Sequence, residues 1–190
     1  MVKIFDMLKL AKLVSMQDGE IKVMGEPVHI IPSHILGDMQ KDMIETLGFE
    51  EAYHKLYKSS KEGSYAYNQS FVNKYSMKDK RKLLEMQLKI VTSSGWGKLN
   101  IVHLEVPKNK LTIRYDNSPF PKGYGKQKYA VCIIPTAFTA GGVSVTFGKD
   151  VDAVETHCVA RGDPYCEIKI GPPKEIKEIR EELWKKWGVT

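Results

Sequence analysis

The sequence predicts an α+β domain in which helices pack on an antiparallel sheet. Two observations carry this: stretches of alternating apolar and polar residues come in adjacent pairs around turn residues, and longer stretches place apolar residues at helical spacing. A third is the lack of repeats, low-complexity tracts or clear linkers along the 190 residues, which suits one domain with extensions. We expect 1–190 to be a single domain, with 1–75 as an N-terminal helical extension and 76–190 as the core.

Residues 2–16 place Ile4, Leu8, Ala11 and Val14 at helical spacing, which predicts an amphipathic first helix. Residues 19–31 read as extended, with Ile21 and Val23 alternating before a Gly-Glu-Pro turn. Ser33 is a suitable N-cap for a second helix that carries Leu36, Met39, Met43 and Leu47 on one face and stops at Gly48. A long helix over 49–75, with Gly63 as a point of breakage, is followed by one over 77–93 that turns Leu84, Leu88 and Val91 inward. Residues 99–106 and 111–115 then alternate as a hairpin around Pro107-Lys-Asn-Lys, and 117–126 form a Pro/Gly/Ser-rich loop suited to act as a lid. Residues 130–146 mix bulky Ile133, Ile134, Phe138 and Val143 with small Ala137, Ala140, Gly141 and Gly142. That pattern predicts a buried helix whose small face admits a close backbone, with Pro135 in its first turn and Cys132 at its N-terminus. A second hairpin, 151–160 with 165–170, turns at Arg161-Gly-Asp-Pro164, and a last helix from Pro172-Pro173 lines up Ile176, Ile179, Leu183 and Trp187.

Composition excludes several function classes. The 42% hydrophobic content suffices for a core, yet no run of about 18 apolar residues stands ready to span a membrane. The N-terminus carries charges too often for a secretory signal, so a cytoplasmic location is expected. Net charge is +6, but the lysines are spread along the chain and accompanied by Glu or Asp, which describes a solvated surface of the thermophilic kind and no nucleic-acid partner. A Gly-x-Ser-x-Gly nucleophile motif and a dinucleotide fingerprint are both missing, so no catalytic residue is assigned.

The chemistry sits in the C-terminal third. All three cysteines lie there: Cys132, then Cys158 within Glu155-Thr-His-Cys158, then Cys166. The odd number argues against a disulfide framework. Cys158 and Cys166 flank a segment whose Gly162, Asp163 and Pro164 turn the backbone, so two thiols approach each other. With Cys132 and Glu155 they make four ligands, the number a closed, structural tetrahedral zinc needs. Three buried, inert thiols are the alternative, and a mixed site using His157 with two cysteines competes as ligand set. In a regular strand Glu155 and Cys158 point to opposite faces, so a shared metal requires a bulge between them or a strand that starts after Glu155.

Glu155-x-x-Cys158-x-Arg-Gly-Asp-Pro-x-Cys166, followed by Glu167-Ile-Lys-Ile170, resembles the C-terminal signature of the 4-vinyl reductase domain family. That family includes aromatic-sensing domains of phenol-responsive activators, a chlorophyll-biosynthesis protein and free-standing archaeal proteins. The resemblance is dense over 128–171 and architectural before it. It implies a fold like that of trafficking-particle subunits and nitric-oxide-signalling ligand-binding domains, and a structural Zn2+ held by Cys132, Glu155, Cys158 and Cys166. The Tyr-x-Ser-x-Arg signature of the haem-binding relatives is missing, which argues against haem. The resemblance further implies a small apolar or aromatic ligand and a regulatory role, with Trp96, His103, Tyr115, Tyr129 and Phe138 as candidate pocket walls. The first and last helices are candidates for a homodimer surface, and a signal would leave through a partner protein. Two rival readings are a reductase or accessory protein acting on a tetrapyrrole vinyl group, and an assembly protein with a lipid-filled pocket.

Overall fold

The computed structural model describes residues 14–23, 25–75 and 79–189, and the chain divides into two compact units, Met1–Pro32 and Ser33–Thr190. The first unit holds a three-stranded antiparallel meander, β1 (Val14–Gln17), β2 (Glu20–Val23) and β3 (Glu26–Val28). Most of the first helix expected over 2–16 lies outside the described residues. Its last residues are strand, with Val14 opposite Val23 and Met16 opposite Ile21. The physical reason is the Asp18-Gly19 pair, whose φ values of 50° and 81° suit the two-residue turn that joins twisted antiparallel strands.

The second unit comprises α1 (Ser33–Leu47), α2 (Phe49–Tyr75), α3 (Lys80–Ser93), β4 (Lys98–Glu105), β5 (Lys110–Asp116), α4 (Ile133–Phe147), β6 (Asp152–His157), β7 (Cys166–Gly171) and α5 (Pro173–Trp187). Its four strands form an antiparallel sheet in the order β4-β5-β7-β6, so both expected hairpins are present and β7 joins them. Helices packed on an antiparallel sheet make the α+β architecture the sequence predicts.

α4 is the centre of the unit. Nearly all its side chains are buried, in keeping with an apolar sequence that shows no polar face. α2 lies along it, unbroken at Gly63, and can do so because a Cβ on Gly141 would sit 2.3 Å from the Lys61 carbonyl oxygen. The small face thus exchanges helix propensity for backbone approach. A buried polar seam finishes the contact: Ser64 Oγ donates to the Phe138 carbonyl at 2.6 Å, Gln87 Nε2 donates to Asn68 Oδ1 at 2.8 Å, and Thr146 Oγ1 donates to Gln87 Oε1 at 2.6 Å.

Two local expectations are corrected. The buried face of α1 runs through Leu36, Gln40 and Ile44, while Met39 is 59% exposed. Gln40 turns inward because its amide donates to the Val131 carbonyl at 2.6 Å and to the Tyr124 hydroxyl, so a polar residue outranks a methionine for the core position. The 117–126 loop is packed and not a lid: Phe120 and Tyr124 are buried, and the Tyr124 hydroxyl donates to the Gly37 carbonyl at 3.0 Å.

Candidate metal centre

Each candidate ligand is delivered by a different piece of backbone. Cys132 is the N-cap residue of α4, where the free N–H groups of the first turn face it. Glu155 lies in β6 opposite Ile168, and the next pair in register is His157 with Glu167, so the strand bulges between Glu155 and His157. This is the irregularity that a shared site for Glu155 and Cys158 requires. Cys158 follows the strand and opens a short 3-10 turn, Val159–Arg161, which ends at Gly162 with φ 96°. Cys166 begins β7 and pairs with Tyr115 of β5.

The result is one cluster. A ligand atom from each of Cys132, Glu155, Cys158 and Cys166 lies within 4.8 Å of the others, and all four residues are buried. The Cys132 and Cys166 sulfurs are 3.7 Å apart, and the cysteines are free. A disulfide needs about 2.05 Å, whereas two sulfurs at about 2.3 Å from one tetrahedral zinc sit roughly 3.8 Å apart.

The surroundings fit a cation. Glu155 Oε2 accepts the Cys132 N–H at 2.8 Å, while Oε1 is buried with no hydrogen-bond partner. An orphaned carboxylate oxygen facing a group of thiols is a costly arrangement unless something positive meets it. Burial pushes the Glu155 carboxyl well above the ordinary carboxylate range, and the Cys158 thiol adds to this. Hydrogen bonding with the Cys158 and Cys166 sulfurs, and then burial, hold the Cys132 thiol well above its usual value. For Cys158 the hydrogen bond with Cys132 pulls downward, but Cys166 and burial outweigh it and the net direction is up. Cys166 alone is brought down, to about 5, because both other thiols stabilise its thiolate. Four anions do not coexist in such a site without a cation, and a dication is what the donor set suits.

The outer groups hold the ligands in place. Asp163 Oδ2 accepts the Cys158 N–H at 2.8 Å and pairs with Arg161 at 3.5 Å; the Arg161 guanidinium also lies 4.7 Å from the Trp187 ring centroid. A positive charge is therefore linked to the site through a carboxylate. Lys169, the other expected compensator, is exposed. The start of β6 is anchored separately: the Tyr57 hydroxyl donates to Asp152, which pairs with Lys61 at 3.4 Å and Arg180 at 3.8 Å.

His157 stands outside the cluster. Its side chain is 41% exposed, with Nδ1 3.4 Å from Glu167 and 3.2 Å from the Thr156 hydroxyl. The bulge that brings Cys158 in takes His157 off the Glu155 face.

The five candidate pocket walls do not surround one space. Trp96 packs on Phe138 and Phe120 at ring distances of 4.8 and 5.2 Å, and Tyr129 packs on Phe49 at 4.2 Å. The Tyr115 hydroxyl is 2.7 Å from Thr139 Oγ1, near the metal cluster but satisfied. His103 is an exposed strand residue paired with Glu105 at 3.2 Å, not a core histidine, because the β4 bulge between Ile101 and His103 displaces the alternation. Sequence reasoning missed a tighter grouping beside the metal cluster, where Phe49, Tyr53, Thr136, Trp184 and Trp187 meet Glu155 and Cys132 around a small cavity. The stripe on the last helix signals Trp187, and Trp184, one turn from Arg180, carries a similar signal that the stripe left out.

Residues 111–172 match the family model of the vinyl-4-reductase domain, a segment that contains all four candidate ligands. Among solved structures, the phenol-responsive sensory domain of the transcription activator PoxR, determined with phenol, is similar over 96% of both chains, with a TM-score of 0.79 and 20% identity. A trafficking protein particle complex subunit 3 from Naegleria fowleri, covalently bound to palmitic acid, is similar over 73% of this chain and 93% of that one, with a TM-score of 0.56 and 15% identity. A vinyl-4-reductase family protein from Methanocaldococcus jannaschii is similar over 75% of this chain and 82% of that one, with a TM-score of 0.51 and 16% identity. No curated protein matches significantly. At these identities the likenesses establish the fold, and they bear out the α+β architecture. Among the described residues no helix is long and apolar enough to cross a membrane.

Proposed function

We propose, from the match of residues 111–172 to the vinyl-4-reductase domain, that this protein is a zinc-stabilised module that binds and senses a small apolar or aromatic molecule. The observation that carries it is the convergence of Cys132, Glu155, Cys158 and Cys166 on one buried point within the family segment. Three thiolates and one carboxylate favour zinc among biological dications, since soft sulfur donors disfavour magnesium and calcium. With four protein ligands the metal has no open position, so its role is structural: it clasps the β6–β7 turn to the N-terminus of α4. Because α4 is also the packing centre of the unit, the clasp orders the fold as a whole.

The sensing part rests on the fold shared with the PoxR sensory domain, whose structure contains phenol. Aromatic rings around α4 supply the apolar surroundings such a ligand needs, and an output through a homodimer surface or a partner protein belongs to the same reading. A reductase reading would need an electron source that neither a fingerprint nor a second ligand set provides.

Native mass spectrometry of freshly purified protein tests the proposal. Zinc at one per chain, together with a small apolar adduct or a stabilising shift on adding phenol, is the expected result. A redox cofactor would favour the reductase, and a retained fatty acyl chain the assembly role. Trp96→Ala is expected to weaken ligand retention while zinc content holds; equal loss of both would make Trp96 plain core.

A further inference from the structure

A cavity of about 10 Å³ lies between α2, α4, β6 and α5, lined by Phe49, Tyr53, Thr136, Glu155, Trp184 and Trp187 among others. Four of its lining residues, Tyr53, Thr136, Glu155 and Trp187, each carry a buried side-chain atom without a hydrogen-bond partner: the tyrosine hydroxyl, Thr136 Oγ1, Glu155 Oε1 and Trp187 Nε1. All four residues are at least nine-tenths buried. Buried polar atoms are paired in the great majority of cases, so four orphans around one small space ask for a common partner.

The chemistry of the lining selects that partner. Trp187 Nε1 is a donor only, which argues against a cation. Glu155 and the neighbouring thiols, with Cys132 in the lining, argue against an anion. The volume excludes an organic molecule, since about 10–15 Å³ holds a single water. Burial pushes the Tyr53 hydroxyl well up, with the Arg180 guanidinium opposing it in part, so this group stays a neutral donor and acceptor. We infer that one ordered water occupies this cavity, accepts the Trp187 indole N–H, and links Thr136 and Tyr53 to the Glu155 carboxylate. Its partners, about three to four hydrogen bonds, match what buried waters make. The water ties α5, through Trp187, to the metal's carboxylate ligand. A carboxylate oxygen bound to a metal keeps a lone pair for such a bond, so zinc and water are compatible at Glu155. The inference goes beyond the metal reading, because three of the four orphaned groups are not metal ligands.

A high-resolution crystal structure of the purified protein, with anomalous scattering at the zinc edge, tests it. The expected result is one isolated water peak within hydrogen-bonding distance of Trp187 Nε1 and of at least two of Thr136 Oγ1, Tyr53 OH and the Glu155 carboxylate. In a Trp187→Phe crystal that peak is lost or displaced. Absence of the peak in the parent protein, density too large for water, or a Trp187 indole bonded directly to a protein acceptor would overturn the inference. Zinc signal without the water sinks this inference alone; the water without zinc signal sinks the metal reading alone.

Discussion

Cys158 is the residue on which most of the site turns, since its sulfur joins the metal cluster and its N–H is held by Asp163. Cys158→Ser is expected to lose stoichiometric zinc and to lower stability by roughly 3 kcal/mol or more, about 6–12 °C in melting temperature for a domain of this size. Zinc analysis and calorimetry on the same sample check it; unchanged melting with zinc lost would contradict a structural metal. Asp163→Ala leaves the Cys158 N–H unpaired and releases Arg161, so zinc affinity is expected to fall on the order of tenfold with the fold retained, as for other groups that support a metal ligand. Competition with a chromogenic chelator reads this directly. The four ligands were legible in the sequence because their types and the turn between Cys158 and Cys166 carry the signal. Thr136 and Tyr53 were not, because a threonine in a buried helix and a tyrosine in a long one look like ordinary core until the chain is folded.

The contact between α2 and α4 fixes where Cys132 stands, and two glycines set its closeness. Gly141→Ala brings a Cβ against the Lys61 backbone, an atom that cannot move aside, so the clash outweighs the roughly 1 kcal/mol gain in helix propensity. A net loss of about 1–3 kcal/mol is expected. Gly142→Ala meets only the Asn68 side chain, at 3.2 Å, and is expected to cost less. Urea denaturation of the two variants orders them, and equal stability would mean that the helices are free to separate. Helical and strand periodicity in the sequence revealed α2 to α5 and both hairpins. It failed where side-chain hydrogen bonding overrode hydrophobicity, as at Gln40 of α1, and where a two-residue turn decided the local form, as at Asp18-Gly19.

For the whole molecule, the metal inverts the response to pH. In the metal-free fold the raised Glu155, Cys132 and Cys158 groups contribute stability that is full at acid pH and is lost as pH rises toward their folded values. The lowered Cys166 works the other way, its contribution present above the ordinary thiol range and lost as pH falls toward about 5. Zinc must displace the protons held by the raised groups, so its affinity is expected to rise with pH and its binding to release more than one proton at neutrality. Calorimetric titration in buffers of different ionisation enthalpy measures that release, and zinc binding without it would contradict the buried, protonated resting site. The central claim, that three sulfurs and one carboxylate oxygen hold a single zinc, is tested most directly by zinc-edge X-ray absorption of the purified protein. A stoichiometric zinc signal with three sulfurs at about 2.3 Å and one oxygen near 2.0–2.2 Å is the predicted result; no zinc, or a shell of nitrogen and oxygen alone, would contradict it.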